Sequence, residues 1–314
     1  MRYGGGMKSI FIDGSAGTTG LRIYDRIEKR KDVCLIKLPE EKRKDLAARA
    51  EALNDCDVAF LCLPDDASRQ AVGMVKNPDV TVIDTSTAHR TSKEFAYGFP
   101  ELDESFFNKI ASSKRIAVPG CHASGFIALV YPLIKAGVLS KDALLTCHSV
   151  TGYSGGGKKM ISQYEDKNRD VFLDAPRQYG LLQNHKHLAE MVKITGIENA
   201  PVFCPIVSDY YSGMTVTVPL FKKDISCSAT ELKEIYKAAY TAGLVKYEEG
   251  IDENGFISAC ALSGRDDMQI SVLGNEERIL LIARYDNLGK GASGAAVECM
   301  NIALKKEKTE GLIF

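Results

Sequence analysis

The sequence predicts an α/β chain of two parts: a doubly wound parallel sheet, then an α+β part with a mixed or antiparallel sheet. Three observations predict it. A short β-branched apolar run at residues 7–13 leads through the glycine turn at 14–20 into apolar residues at helical spacing, 21–27. Strand-like and helix-like segments then alternate as far as residue 118, the pattern of a parallel sheet with crossover helices. Beyond Cys121 strands dominate, in pairs suited to antiparallel partners.

In chain order, strands are expected at residues 7–13, 33–38, 57–63, 80–84 and 115–118, with helices at 21–27, 45–54 and 67–76 between them. Residues 124–136 read as a helix. Strands follow at 144–151, 202–207, 214–219, 269–274 and 278–285, and residues 294–306 close the chain as an amphipathic helix. The expected domains are 1–120 with 290–314, and 121–289, with Met7 or Lys8 opening the fold.

With 314 residues, 45% of them hydrophobic, the chain can bury two cores. Forty basic against 41 acidic side chains leave a net charge of -1, which gives no electrostatic reason for a nucleic-acid or anionic-membrane partner. The first seven residues lack the apolar run of an export signal, and the longest apolar run, 126–134, contains Pro132 and is too short to span a bilayer. The expectation is a cytoplasmic protein. Its nine cysteines form no Cys-x-x-Cys pair and read as reduced thiols. The His185-x-His187 pair has no cysteine nearby, so no zinc-type site is expected.

Gly14, Ser15, Ala16, Gly17, Thr18, Thr19 and Gly20 form the first strand-to-helix turn, with spacing G-x-x-G-x-x-G. Glycine there lets a pyrophosphate approach the N–H groups that open the helix, so a Rossmann-type dinucleotide site is expected. After the second strand, Glu40 or Glu41 could bind ribose hydroxyls of NAD, whereas Lys42, Arg43 and Lys44 could hold the 2′-phosphate of NADP.

Cys121 stands where a strand ends in Pro119-Gly120 and small residues open a helix. The positive end of a helix favours thiolate, and nearby N–H groups can hold an oxyanion, so Cys121 is the candidate nucleophile. Ser86 follows the strand ending at Asp84, at the carboxyl edge where parallel sheets bind ligands, and Arg90 could pair with a substrate carboxylate or phosphate. Ser154, Gly155 and Lys158 combine backbone N–H groups with a cation, as an anion site would, without P-loop spacing. Asn287 and Gly291 precede the last helix, where small residues would let the backbone lie against a nicotinamide.

Eight segments together carry a resemblance: Gly14 to Gly20; Phe60 to Ala67; Asp84 to Arg90; Tyr97 to Leu102; Pro119-Gly120-Cys121; Gly152 to Lys158; His185 to Glu190; and Asp286 to Gly294. On these the chain resembles, over nearly its whole length, the short form of the N-acetyl-γ-glutamyl-phosphate reductases, of the aspartate-semialdehyde dehydrogenase-like superfamily. It departs from them in having His122-Ala123-Ser124 where Tyr-Pro-Thr is usual, and Ala189 where proline is common.

The resemblance implies an NADP-dependent oxidoreductase of arginine biosynthesis that takes an N-acyl-γ-glutamyl phosphate to the semialdehyde and phosphate. It implies a homodimer or homotetramer, and Cys62, Leu63 and Pro64 as further cofactor contacts. Cys121 would carry a thioacyl intermediate, and a histidine would serve as acid/base because its pKa lies near neutrality. The His-x-His segment implies His185 for that task, with His187 as the alternative. On one helix His187, two residues on, would point away from it, with Glu190 orienting His187; Tyr179 matches a nearby hydroxyl. Two alternatives share parts of the pattern: a different acyl-phosphate or semialdehyde dehydrogenase, and a non-catalytic NADP-sensing Rossmann protein.

Overall fold

The computed structural model describes residues 7–241 and 243–314, which form two compact units. The first comprises described residues up to Pro100, Glu104–Pro119 and Ala292–Leu312; the second comprises Glu101–Asp103, Gly120–Gly291 and Ile313–Phe314. The expected start of the fold at Met7 or Lys8 falls at the edge of the described residues, and residues 1–6 lie outside them.

In the first unit the strands β1 (Lys8–Asp13), β2 (Val33–Ile36), β3 (Val58–Leu61), β4 (Thr81–Asp84), β5 (Ala96–Tyr97) and β6 (Arg115–Ala117) form one sheet, order β2-β1-β3-β4-β6-β5. Every pairing is parallel. Alternate residues feed opposite faces. Ile10, Ile12, Val58 and Phe60 pack with Ile23, Ile27 and Met300 on one side, while Phe11, Ala59 and Leu61 pack with Leu53 and Ala71 on the other. Both faces are thus covered, by α1 (Thr18–Glu28), α2 (Leu46–Asp55), α3 (Asp65–Met74), α4 (Glu104–Ser112) and the final helix Gly294–Ala303.

The second unit holds a seven-stranded mixed sheet. Its strands are β7 (Thr146–Gly152), β8 (Arg177–Gln178), β9 (Val202–Ser208), β10 (Met214–Phe221), β11 (Val245–Tyr247), β12 (Met268–Gly274) and β13 (Arg278–Tyr285), in the order β11-β12-β13-β10-β7-β9-β8. The β7–β9 and β11–β12 pairs are parallel and the others antiparallel. The helices of this unit are α5 (Cys121–Lys135), α6 (Gly157–Glu165), α7 (His187–Thr195) and α8 (Ala229–Ala239). Helix α5 packs on β10, β13, α7 and α8, and is buried over most of its length.

Several elements go beyond the sequence reading. β5 and β8 are two residues long and carry no period. Helix α4 carries a readable stripe, Phe106, Phe107, Ile110 and Ala111, that the sequence reading left unused, whereas α6 buries only Tyr164. Helix α8 opens on a capping box between Ser228 and Glu231, a readable signal. No described helix is long and apolar enough to cross a membrane.

Candidate functional site

In the first unit the turn at 14–20 joins β1 to α1. Gly14 has φ +85°, and a side-chain carbon there would overlap the Cys62 carbonyl oxygen. The turn therefore closes against Cys62-Leu63-Pro64, where β3 ends and α3 begins. Gly17 is the N-cap of α1 and offers no side-chain cap, so the first-turn N–H groups are not consumed by one. The buried Thr18 hydroxyl has no hydrogen-bond partner among the described residues. An uncapped helix start, a glycine cradle and an unsatisfied hydroxyl fit a pyrophosphate. Ser15, Ala16 and Thr19 complete the loop, and Gly20 packs on the Gly14 carbonyl. Burial pushes the Cys62 thiol up to about 12, so the thiol stays protonated. Lys42 and Arg43 are exposed beyond β2; Arg43 lies 3.9 Å from Glu40.

Ser86 and Arg90 are tied locally. The Ser86 hydroxyl donates to Asp84 at 2.9 Å, and Arg90 donates to the carbonyls of Val118 at 2.9 Å and Thr85 at 3.0 Å. Both hold the β4 and β6 ends in shape.

The second unit gathers Cys121, the candidate nucleophile, and its neighbours. Helix α5 begins at Cys121 itself, three residues earlier than the sequence reading, because Gly120 is the N-cap and brings no capping side chain. Ser124 does not cap the helix: its hydroxyl donates back to the Gly120 carbonyl at 3.0 Å. Cys121 is half-buried, and its carbonyl accepts from the Tyr285 hydroxyl, which in turn accepts from the Gly125 N–H at 2.9 Å. The Gly120 N–H donates to the buried Glu190 carboxylate at 3.2 Å, and Glu190 stands 4.0 Å from His187 Nε2. Glu190 thus serves both the turn before Cys121 and His187.

His185 and His187 do not diverge. Helix α7 starts at His187, so His185 precedes it, and the two rings lie 4.7 Å apart between centroids. The His187 N–H donates to His185 Nδ1 at 3.2 Å. His122 joins them, 5.9 Å from His185 and 5.6 Å from His187, with Phe203 packed on both His122 and His185. His122 Nε2 is 2.6 Å from the Tyr179 hydroxyl and its Nδ1 is 2.6 Å from Ser149 Oγ. Burial, with the His185 charge second, holds His122 down to about 3. Burial first, then the charge of Cys121, raises the Tyr179 phenol. No group of three His, Cys, Asp or Glu side chains among the described residues converges to hold a metal.

The segment after β13 closes on the same helix. Asp286 accepts from the Leu288 N–H at 2.7 Å and from Ser212 at 3.2 Å, while its carbonyl accepts from Gly291 at 3.0 Å. That turn sets Gly291 against Cys121. Asn287 is 1% exposed, and its amide is spent internally, on the Gly213 N–H at 2.9 Å and Ser154 Oγ at 3.0 Å. Gly155 lies beside that amide. Lys158 is exposed in the first turn of α6, whose N-cap Gly156 brings no side-chain cap.

Sequence reasoning missed Ser149 and Tyr285 and assigned no part to His122. The alternation Cys147, Ser149, Thr151 in β7 is the signal that points Ser149 inward.

The chain matches two family descriptions: "Semialdehyde dehydrogenase, NAD binding domain" over residues 29–110 and "Semialdehyde dehydrogenase, dimerisation domain" over residues 121–287. The N-acetyl-gamma-glutamyl-phosphate reductase of Sinorhizobium medicae is 45% identical over 306 residues, 94% of this chain and 98% of its own. N-acetyl-gamma-glutamyl-phosphate reductase 2 of Nostoc is 41% identical over 317 residues, 96% of this chain and 98% of its own. Aspartate semialdehyde dehydrogenase II of Vibrio cholerae shares the fold, with a TM-score of 0.70 at 15% identity over 95% of this chain and 98% of that one. The Candida albicans aspartate semialdehyde dehydrogenase, solved with NADP, gives a TM-score of 0.63 at 14% identity over 95% and 98%.

Proposed function

The chain belongs to the N-acetyl-γ-glutamyl-phosphate reductase family of semialdehyde dehydrogenases, and from that premise we propose that it reduces N-acetyl-γ-glutamyl phosphate to the semialdehyde, through a thioester on Cys121, in arginine biosynthesis. The observation that carries this reading is the half-buried Cys121 at the uncapped start of α5, in the unit where His185, His187 and Tyr179 converge.

The Cys121 sulfur attacks the acyl carbon; a C–S bond forms, the C–O bond to phosphorus breaks, and phosphate leaves with one proton. When bound, NADPH supplies the hydride that reduces this thioester. The thiolate then departs as the carbonyl re-forms, which returns Cys121 to its starting state. First-turn N–H groups of α5 are the donors for the tetrahedral oxygen. His185 is the acid/base group. Its Nδ1 accepts from the His187 N–H, so proton exchange runs through Nε2. Glu190 holds Gly120 and stands by His187, fixing the turn that carries the sulfur. Lys158, Ser154 and Gly155 are the residues we assign to the departing phosphate.

The first unit is the dinucleotide domain in this reading. Gly14 to Gly20 with Cys62, Leu63 and Pro64 take the pyrophosphate side, and Lys42 and Arg43 supply the charge for a 2′-phosphate, the feature that favours NADP over NAD. The second unit carries catalysis and assembly, as a homodimer or homotetramer in the cytoplasm; the dimerisation-domain match supports assembly through residues 121–287.

The test runs the reaction backwards. Purified protein, N-acetyl-glutamate semialdehyde, phosphate and NADP⁺ should give absorbance at the reduced-nicotinamide band. Cys121→Ala should abolish it, and iodoacetamide should label Cys121 ahead of the other eight thiols. Turnover that survives in the alanine variant, or none with this aldehyde in the wild type, would overturn the proposal.

A further inference from the structure

His122 takes no part in the chemistry assigned to Cys121 and His185, yet it is fixed at both ring nitrogens. Nδ1 meets Ser149 Oγ and Nε2 meets the Tyr179 hydroxyl, each at 2.6 Å. The ring is 3% exposed and Ser149 is completely buried. Burial keeps the imidazole neutral near pH 7, so one nitrogen donates and the other accepts.

Ser149 decides which. Its hydroxyl proton, shut away from water, must have an acceptor, because a buried unsatisfied donor costs about 1–3 kcal/mol. Among the described residues His122 Nδ1 is the partner of that side chain. Ser149 therefore donates to Nδ1, and the single ring proton sits on Nε2. From there it is donated to the Tyr179 oxygen. Tyr179, already receiving a hydrogen bond, keeps its own proton to give elsewhere. That hydroxyl meets His122, the residue next to Cys121 at the start of α5, and the Tyr179 ring stands 6.0 Å from that of His185. The phenol stays protonated, since burial and then the Cys121 charge raise it.

We propose that Ser149 and His122 are positioning residues that turn Tyr179 into a fixed hydrogen-bond donor for the oxygen of the acyl group held on Cys121. The inference rests on the reductase reading for the identity of that group. A donor locked by a dry chain of hydrogen bonds needs no reorganisation when charge develops on the oxygen, which is where an oriented dipole gains most. His122 itself moves no proton.

Two measurements test it. Long-range ¹H–¹⁵N spectra of the labelled full chain, with His122→Gln assigning the ring, should show His122 neutral and protonated on Nε2 from about pH 6 to 8. A ring protonated on Nδ1, or a charged one, would overturn the proposal without any assumption about substrate. In kinetics, Tyr179→Phe and His122→Phe should each lower kcat about 10²-fold with KM little changed, as for loss of one oxyanion donor. The double variant should fall no further than either single one, and His122→Gln, which keeps an N–H near Nε2, should recover to within about tenfold of wild type. Additive losses, or full activity in Tyr179→Phe with unchanged melting, would sink the inference. A wild type inactive on the acetylated semialdehyde would sink the reductase reading alone, and the ring spectrum would still decide the hydrogen-bond chain.

Discussion

Gly291 lies directly against Cys121. A side-chain carbon at Gly291 would stand 3.0 Å from the Cys121 Cβ and 3.2 Å from the Asp286 carbonyl oxygen. The turn held by Asp286 therefore reaches Cys121, the proposed nucleophile, with no space to spare. Gly291→Ala must displace the cysteine or the turn by a few tenths of an ångström. Small misplacements of a reacting atom cost far more in rate than in stability. The expected result is kcat lowered by about 10- to 100-fold, with a loss of only about 1–2 kcal/mol in urea unfolding. Unchanged kcat would mean that the cysteine tolerates the shift.

His122 makes the protein acid-sensitive. Burial, with the His185 charge second, pushes its folded pKa down to about 3, against an ordinary histidine value near 6.5. Above 6.5 the ring is neutral both folded and unfolded, and its contribution is full. As pH falls from 6.5 towards 3, the unfolded chain takes up a proton that the folded chain refuses. Stability is lost across that window, by on the order of 1.4 kcal/mol per pH unit. His122→Gln should flatten this part of the curve, so unfolding midpoints of wild type and variant at pH 7.5 and pH 4.5 provide the check.

Lys290 and Glu101 form a buried ion pair in the second unit, at 2.7 and 2.8 Å, with side chains 2% and 4% exposed. Removing one partner takes from a buried charge the group it is hydrogen-bonded to at 2.7–2.8 Å in a low dielectric. Glu101→Gln should cost about 3–5 kcal/mol, read as a lower denaturation midpoint, whereas Glu101→Gln with Lys290→Met should recover part of it.

Gly14 cannot carry a side chain without moving the end of β3, since its φ is +85° and the Cys62 carbonyl fills the space. Gly14→Ala should destabilise the first unit by about 2 kcal/mol or more and weaken NADPH binding by at least about tenfold. Fluorescence titration with NADPH measures it, and wild-type affinity would argue against pyrophosphate binding at this turn.

What the sequence determined is local. The apolar run at residues 7–13, the glycine spacing from Gly14 to Gly20, and the strand-rich stretch beyond Cys121 each report on neighbours within a few positions, and they sufficed for the parallel sheet and the mixed-sheet unit. What only the tertiary structure decided is who meets whom over long separations. Ser149 from β7, Tyr179 after β8 and His122 from α5 converge because β7 lies beside β9 and β9 beside β8, an order set by packing the whole sheet. His185 and His187 show the same limit at short range. Read on one helix they diverge, but α7 begins only at His187, and the His187 N–H donates to His185 Nδ1, which holds the two rings together. A helix boundary is fixed by which backbone groups find partners, and those partners are supplied by the fold.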